Sequence, residues 1–276
     1  MSTVEKDLKH THSGARCPMA QSLHDFCPAQ SGDSRSVCPA LNTMANHGYM
    51  YAPCSFYIHL KMLTIPSSPR DGRAVTIPSL IFAVQKCFGV SFLLSALLTT
   101  VTMFTTGHFW SANLYELGKH SAIEHDASLV HDDTPKDVKF APIHVNHGLL
   151  KALIDDVRPR PVVRDGLIDP DDMILVDKYD LARVRIRREL QSAPLSAIHA
   201  EVARGECALL IGVLGWKKDK REGVPLRRLV EFLGDERFPD GWKPVRTQGL
   251  IETIIGSRGM KDAISKMRSG ELSMEA

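Results

Sequence analysis

Residues 32–49 read Gly-Asp-Ser-Arg-Ser-Val-Cys-Pro-Ala-Leu-Asn-Thr-Met-Ala-Asn-His-Gly-Tyr and carry the most informative local pattern in the chain. They predict a helix that begins directly after Cys38. Pro39 suits its first turn, because the φ of proline is already helical and the missing N–H is not needed there. The first N–H groups of a helix have no partner within it, so these donors and the helix dipole favour a thiolate just before them. Cys38 is therefore a candidate metal ligand.

A Cys-Pro pair is weak evidence by itself. Cys17 and Cys27 also precede prolines, and a structural or free cysteine would explain all three pairs. Only Cys38 is followed by a helix-forming stretch. A thiolate in that position suits haem iron in particular, because an axial thiolate donates electron density to an iron–oxygen unit.

The whole chain has an ordinary globular composition. It contains 276 residues, with 34 Lys and Arg against 32 Asp and Glu, a net charge of +2 and six cysteines. This balance excludes strongly disordered classes and argues against nucleic acid as the main partner. Six cysteines are too few for a disulfide-built scaffold. The polar N-terminus lacks the apolar core of a signal peptide, which favours an intracellular protein, or a secreted one whose start is misplaced.

The apolar periodicity predicts a mainly α fold. We expect one compact helical domain over residues 31–270, preceded by a flexible, irregular N-terminal arm over residues 1–30. Thr76 is a candidate N-cap, and no alternating strand pattern is evident. Beyond the helix that follows Cys38, the predicted helices cover residues 78–88, 91–105, 180–190, 194–214, 226–233, 247–255 and 260–267.

Two of these helices have an ambiguous surface. Phe88–Phe104 is the most apolar run and has no charged residue. It lies at the lower length limit for a membrane span and contains several Ser and Thr, so we expect a buried core helix and keep membrane association as an alternative. The helix at 180–190 has a basic face, which we expect to be solvated.

Three ordered motifs resemble one family. The stretch at 32–49 resembles the proximal segment of the fungal haem-thiolate peroxidases, the family of chloroperoxidases and unspecific peroxygenases. Pro69-Arg70-Asp71-Gly72-Arg73 resembles the segment that follows it, and Glu124-His125-Asp126-Ala127-Ser128-Leu129 resembles the distal and cation-binding motif. The resemblance implies a helical domain that binds haem b through Cys38. It also implies that H₂O₂ oxidises a small organic substrate or halide, with the haem lying against Pro39, Ala40, Leu41 and Asn42.

The motif at residues 124–129 contains the candidate cation-binding residues. The resemblance implies that the Glu124 carboxylate, the His125 carbonyl and the Ser128 hydroxyl bind Mg²⁺ or Mn²⁺. Hard oxygen ligands suit such ions, although a surface turn with capping carboxylates would also explain these residues.

Peroxide cleavage needs a group that takes a proton from one oxygen and returns it to the other. Glu206, which follows Gly205 within an apolar helix, resembles the family's acid–base glutamate. An ionised side chain there is costly without a role or partner, and desolvation would raise its pKa. We expect His125 to orient it. Glu201 and Glu189 are the competing candidates.

The main departure from the family pattern is residues 51–68, which separate Met50 from Pro69. In the family the two flanking segments follow each other directly. The length of residues 51–68, and the codons possible at their ends, are consistent with an intron that has been translated. A genuine loop is the alternative, and such a loop could leave a haem-binding but catalytically impaired protein. A smaller departure is Val37, where the family has proline.

Other conspicuous residues have ordinary structural explanations. We expect His47 to be packed and hydrogen-bonded, and Cys207 to be a small core residue. Loop histidines could form a metal site, but solvation is the simpler expectation for His120, His131, His144 and His147. Core packing is likewise favoured over a substrate channel for Phe88, Phe92, Phe104, Phe109 and Trp110.

Overall fold

The computed structural model describes residues 22, 24–50, 68–157, 163–164, 167–168, 174–218 and 221–271. Within these ranges the protein is mainly α-helical, which confirms the predicted fold class. A short 3₁₀ helix covers Leu114–Gly118. The α-helices of the described part are α1 Pro39–Asn46, α2 Ile77–Phe88, α3 Phe92–Thr106, α4 His147–Asp156, α5 Lys178–Gln191, α6 Ala197–Leu214, α7 Leu226–Gly234 and α8 Leu250–Arg268.

Short strands connect these helices. In the first pair, β1 (Val75–Thr76) lies antiparallel to β2 (Ser111–Ala112). A second antiparallel pair joins β3 (Val163–Arg164) to β4 (Leu167–Ile168). In a three-stranded sheet, β7 (Arg221–Pro225) lies between β5 (Leu175–Val176) and β6 (Trp216–Lys218). The sequence did not predict these strands, because strands this short contain too few residues to show an alternation of apolar and polar side chains.

The core is built around the pairing of α6 with α8, and α8 also packs on α5. A Cβ atom at Gly256 would lie 2.8 Å from the Cβ of Ala208, so the glycine allows the two helices to approach closely. α8 is a single helix over Leu250–Arg268, so the prediction of separate helices at 247–255 and 260–267 was wrong. The largest fully buried apolar side chains of the described residues include Met44, Leu114, Leu181, Leu214, Leu229 and Met260.

Hydroxyl groups set the starts of two helices. Thr76 caps α2 as predicted, and its Oγ1 accepts a hydrogen bond from the Ser79 N–H while Ser79 Oγ accepts from the Thr76 N–H. Such a capping box satisfies two otherwise free donors. Ser196 Oγ accepts from the His199 N–H at 3.2 Å, so α6 begins at Ala197 rather than at Pro194.

The apolar run 88–104 does not form one buried helix. Gly89, at φ 64°, ends α2, and α3 begins at Phe92. Leu94 and Met103 are buried, but Phe92 is 66% exposed, and Leu93 and Phe104 are exposed too. The prediction of a core helix was therefore wrong for this face. Among the helices of the described ranges, none combines the length and apolar character needed to cross a membrane.

The predicted insert begins and ends at one place in the fold. Residues 51–67 lie outside the described residues, but the Met50 N–H donates to the Pro69 carbonyl at 3.3 Å. Buried Arg70 continues from this point and donates to the carbonyls of Asn46 and Asp25. The segment after the insert thus anchors the end of α1.

The chain before α1 is irregular and packs on it. The Cys27 N–H donates to the Asn46 carbonyl at 3.0 Å. Cys27 is buried and disulfide-bonded, whereas the described free thiols are Cys38, Cys87 and Cys207. Most of the predicted arm at 1–30 lies outside the described residues.

His47 joins this N-terminal segment to a distant loop. Its Nδ1–H donates to the His24 carbonyl at 2.8 Å, and its Nε2 accepts from the Phe238 N–H at 3.1 Å. The imidazole is therefore neutral, and its burial lowers the pKa to about 4. The prediction that His47 is packed and hydrogen-bonded is confirmed.

We expect His47 to make folding stability fall as the pH is lowered. Unfolded histidine binds a proton near its usual pKa, but folded His47 does so only near pH 4. Between these values the unfolded state binds more protons, so acidification costs about 3 kcal/mol at this site. His131, whose pKa burial also lowers to about 4, acts in the same direction.

Urea unfolding at about pH 7 and about pH 4 tests this expectation. His47→Gln retains a donor and an acceptor but does not titrate, so it should lose about 3 kcal/mol less than the wild type over this interval. The exposed His147 supplies the control variant His147→Gln. Equal losses in wild type and His47→Gln would contradict the assignment.

Candidate functional site

Cys38 lies at the N-terminus of α1, as predicted. Its backbone is extended (φ −84°, ψ 113°), and the N–H groups of Leu41 and Ala40 point at its sulfur. Burial raises the pKa of the thiol to about 11, while these two donors lower it. The expected stabilisation by the helix terminus is present, but burial outweighs it, so the uncoordinated thiol is protonated at neutral pH.

Asn42 closes the segment that precedes Cys38. Its Oδ1 accepts from the Ser36 N–H at 2.8 Å, and its Nδ2 donates to the Ser36 carbonyl at 2.7 Å. Asn42 is fully buried, whereas Pro39, Ala40 and Leu41 are partly exposed. The first turn of α1 therefore leaves a partly open surface next to the sulfur.

Glu206 and His125 form an ion pair on the other side of this site. His125 Nδ1–H donates to the Asp126 carbonyl at 2.7 Å, which turns Nε2 toward Glu206 Oε2 at 3.6 Å. His125 is buried, whereas the Glu206 side chain is 58% exposed. The predicted pairing of these residues is present in the geometry.

The two residues favour each other's charged form. Burial alone would raise the pKa of Glu206, but its interactions with His125, Arg185 and His131 lower it below the usual value. Burial lowers the pKa of His125, but Glu206 outweighs this effect and raises it overall. The predicted rise in the pKa of Glu206 was wrong, because the desolvation argument left out its partners.

The competing carboxylates are occupied elsewhere. Glu201 is exposed; one of its oxygens binds Arg204 at 2.6 Å and the other binds Ser257 at 2.6 Å. Glu189 pairs with Arg185 at 3.0 Å and with Arg268 at 2.6 Å, as its place in a basic helix predicted.

The loop that carries His125 is held by arginines of α5. Arg185 is buried and donates to the Ala127 carbonyl, while Arg188 donates to the Ser128 carbonyl at 2.7 Å and to Asp133 at 3.0 Å. Ala127 has φ 63°, so the loop is fixed in a conformation that alanine rarely adopts.

The expected solvation of this basic face was therefore wrong. Arg183, Arg185 and Arg188 are all buried, because loop carbonyls and carboxylates supply their partners. Arg185 was missed as a site residue. The available signal was its i,i+3 spacing to Arg188, which places both on one helix face.

The described residues lend no support to the predicted Mg²⁺ or Mn²⁺ site. Glu124 Oε2 lies 2.8 Å from His120 Nδ1, and the Ser128 hydroxyl accepts from the His131 N–H at 3.3 Å. Nowhere in the described ranges do three His, Cys, Asp or Glu side chains gather as metal ligands. A site built from one carboxylate, one carbonyl and one hydroxyl stays a prediction. His131 is buried, so the expectation of solvation was wrong for this histidine.

The aromatic residues divide between core and surface. Phe88 is buried and packs edge-on against Phe232 and Phe238, with ring centroids 6.0 and 5.3 Å apart. Phe104 and Phe109 pack together at 5.2 Å but remain exposed. Core packing is confirmed for Phe88 alone. Cys207 is buried as expected.

A free thiol and a carboxylate–imidazole pair share this region, and the charge of Glu206 contributes to the raised pKa of Cys38. A carboxylate and an imidazole are residue types that serve as general acids and bases, and a thiol is a candidate nucleophile or metal ligand. A model of the family described as "Peroxidase, family 2" matches residues 24–52 and 68–247. The chain belongs to this peroxidase family. The matched ranges omit residues 53–67, within the predicted insert. Among curated proteins, none matches the chain.

Proposed function

We propose that the protein is a haem-thiolate peroxidase. Cys38 would bind the iron, and Glu206 with His125 would move the proton of H₂O₂. The oxidised partner would be a small organic molecule or halide. The observation that carries this proposal is that the pair Glu206–His125 and the thiol Cys38, on two different helices and a loop, act on one another electrostatically.

The residues present fit a haem. Cys38 is a free thiol beside a partly open helix turn, and soft thiolate ligands suit iron. Leu41 and Ala40 donate their N–H groups toward the sulfur, which favours the thiolate once a metal replaces the proton. A bound haem would supply the iron at which peroxide is activated, with electron density donated by the thiolate.

The chain's own acid–base residue is ready to act as a base. Because the pKa of Glu206 is lowered, its carboxylate is ionised at neutral pH and can take a proton from one peroxide oxygen. The same carboxyl group then gives the proton to the other oxygen, so that the departing oxygen leaves as water rather than hydroxide. His125 Nε2 holds the carboxylate in place throughout. No step is assigned to a divalent ion.

An impaired family member is the second candidate. Its support is the contact between Met50 and Pro69, which places the junction of residues 51–68 directly after α1. The junction therefore follows the C-terminal end of the helix that Cys38 precedes.

A carbon monoxide spectrum of the reduced, haem-loaded protein tests the proposal. The full chain and a form without residues 51–68 should both give a strongly red-shifted Soret band, whereas Cys38→Ala should lose it. Cys87→Ala is the matched control, because Cys87 is another free thiol but is buried in the core. A band that persists in Cys38→Ala would exclude Cys38 as the ligand. If only the form without residues 51–68 shows the red-shifted Soret band and turns over peroxide, the full chain is the impaired family member.

A further inference from the structure

The loop that follows α7 is docked on α1, about 190 residues away in the chain. Glu236 Oε1 accepts from Asn42 Nδ2 at 2.6 Å, and the Glu236 carbonyl accepts from Asn46 Nδ2 at 3.1 Å. Two residues later, the Phe238 N–H donates to His47 Nε2 at 3.1 Å. The loop thus binds three side chains on α1 and at its end.

Asn42 connects this loop to the segment that carries Cys38. One of its amide hydrogens points to the Glu236 carboxylate and the other to the Ser36 carbonyl, while its oxygen accepts from the Ser36 N–H. Both N–H donors and one acceptor direction of the amide are therefore used. A flipped amide would put its oxygen against a carboxylate and lose both bonds to Ser36. The Glu236 carboxylate therefore favours the same amide orientation as the two Ser36 bonds and stabilises them.

Glu236 is held in a costly arrangement. It is a non-glycine residue at φ 50°, and such backbone conformations cost free energy. Burial raises its pKa to about 7, although the bond from Asn42 and the charge of Arg35 lower it. Buried Arg35 itself donates to Asn46 Oδ1 at 2.8 Å and pairs with Asp33 at 3.3 Å. A strained backbone and a partly buried carboxyl group persist where surrounding contacts determine them.

We infer that Glu236 is a positioning residue that, through Asn42, fixes the Ser36–Cys38 segment in the geometry needed for iron ligation. The inference rests on the proposed function for its consequence at Cys38. Its structural part, the control of the Ser36 bonds by Glu236, stands on the three hydrogen bonds of Asn42.

Two readouts on the haem-loaded protein separate these parts. The first is hydrogen exchange of the peptide that covers residues 32–38. Glu236→Ala should speed the exchange of the Ser36 amide at least about tenfold, because a charge-assisted hydrogen bond is lost. Glu236→Gln keeps an acceptor for Asn42 and should restore most of the protection. The second readout is the ratio of red-shifted to unshifted Soret band in the reduced carbon monoxide complex, which should fall about tenfold in Glu236→Ala.

The control is Asp240→Ala, which removes an acidic side chain from the same loop. Asp240 is 92% exposed and pairs only at the surface with Arg237, so both readouts should match the wild type. In a double-mutant cycle, Glu236→Ala should have little further effect once Asn42→Ala is present, because Glu236 acts on Ser36 only through Asn42.

The outcomes are distinguishable. Unchanged Ser36 exchange in Glu236→Ala overturns the inference, and so does a full red-shifted band in that variant. Failure of Gln to rescue either readout shows that the carboxyl group does not act as the acceptor for Asn42 and also overturns it. A wild type without a red-shifted band, but with faster Ser36 exchange in Glu236→Ala, refutes haem-thiolate ligation while the positioning of Ser36 stands.

Discussion

Replacement of Glu206 by glutamine is expected to lower kcat/KM for peroxide by about 10²- to 10⁴-fold. Glutamine has nearly the same shape and can still contact His125 Nε2, which lies 3.6 Å from the Glu206 carboxylate. It cannot accept a proton at neutral pH, so the transfer between the two peroxide oxygens loses its base. The loss should appear in kcat/KM under steady-state conditions with a chromogenic electron donor.

Glu201→Gln is the matched control, because it lies on the same helix and its carboxylate is occupied by Arg204 and Ser257. Its turnover should remain within about twofold of the wild type. A larger loss in Glu201→Gln than in Glu206→Gln would exchange the roles of the two residues. In the wild type, the lowered pKa of Glu206 predicts that turnover falls only when acidification through that pKa protonates the carboxylate.

Arg185→Met should destabilise the protein by about 3 kcal/mol, because it removes the charged donor of a buried network. Arg185 holds the Ala127 carbonyl and pairs with Glu189. Methionine keeps part of the volume but leaves the carbonyl without its donor. Urea unfolding at neutral pH measures this loss directly.

The same variant has a second effect on turnover. The charge of Arg185 helps to lower the pKa of Glu206, so its removal should move the acid limb of the kcat/KM profile to higher pH. Arg227→Met is the control, because Arg227 is exposed and pairs with Glu231 only at the surface. It should cost less than about 1 kcal/mol and leave the profile in place. An Arg185→Met protein with an unmoved acid limb would disconnect Arg185 from Glu206.

The parts of the fold that follow from local chemistry could be predicted from the sequence. The start of α1 after Cys38 and the cap at Thr76 need only the residues next to them. The basic face of α5 could not be predicted, because a helical pattern says which residues share a face but not what covers it. The covering groups, the carbonyls of Ala127 and Ser128, come from about 60 residues earlier in the chain.

The candidate site shows the same division. Cys38, His125 and Glu206 were found from short motifs and from the cost of a charge in an apolar helix. The pKa of Glu206 is lowered mainly by His125 and also by Arg185 and His131. The pairing with His125 was predicted, but the sequence does not show that these interactions outweigh burial. The contact of Asn42 with Glu236 spans 194 residues, and no local pattern in the sequence marks such a pair.

The hydrogen bond between Met50 and Pro69 also has a use in protein engineering. Two backbone positions joined in this way are fixed end points for a loop. The entropic cost of closing a loop between them grows only with the logarithm of the loop's length. A shorter peptide, an affinity tag or a fluorescent reporter could therefore be exchanged for residues 51–68 at small cost in folding free energy. The exchange point would follow the last turn of α1, whereas Cys38 precedes its first turn.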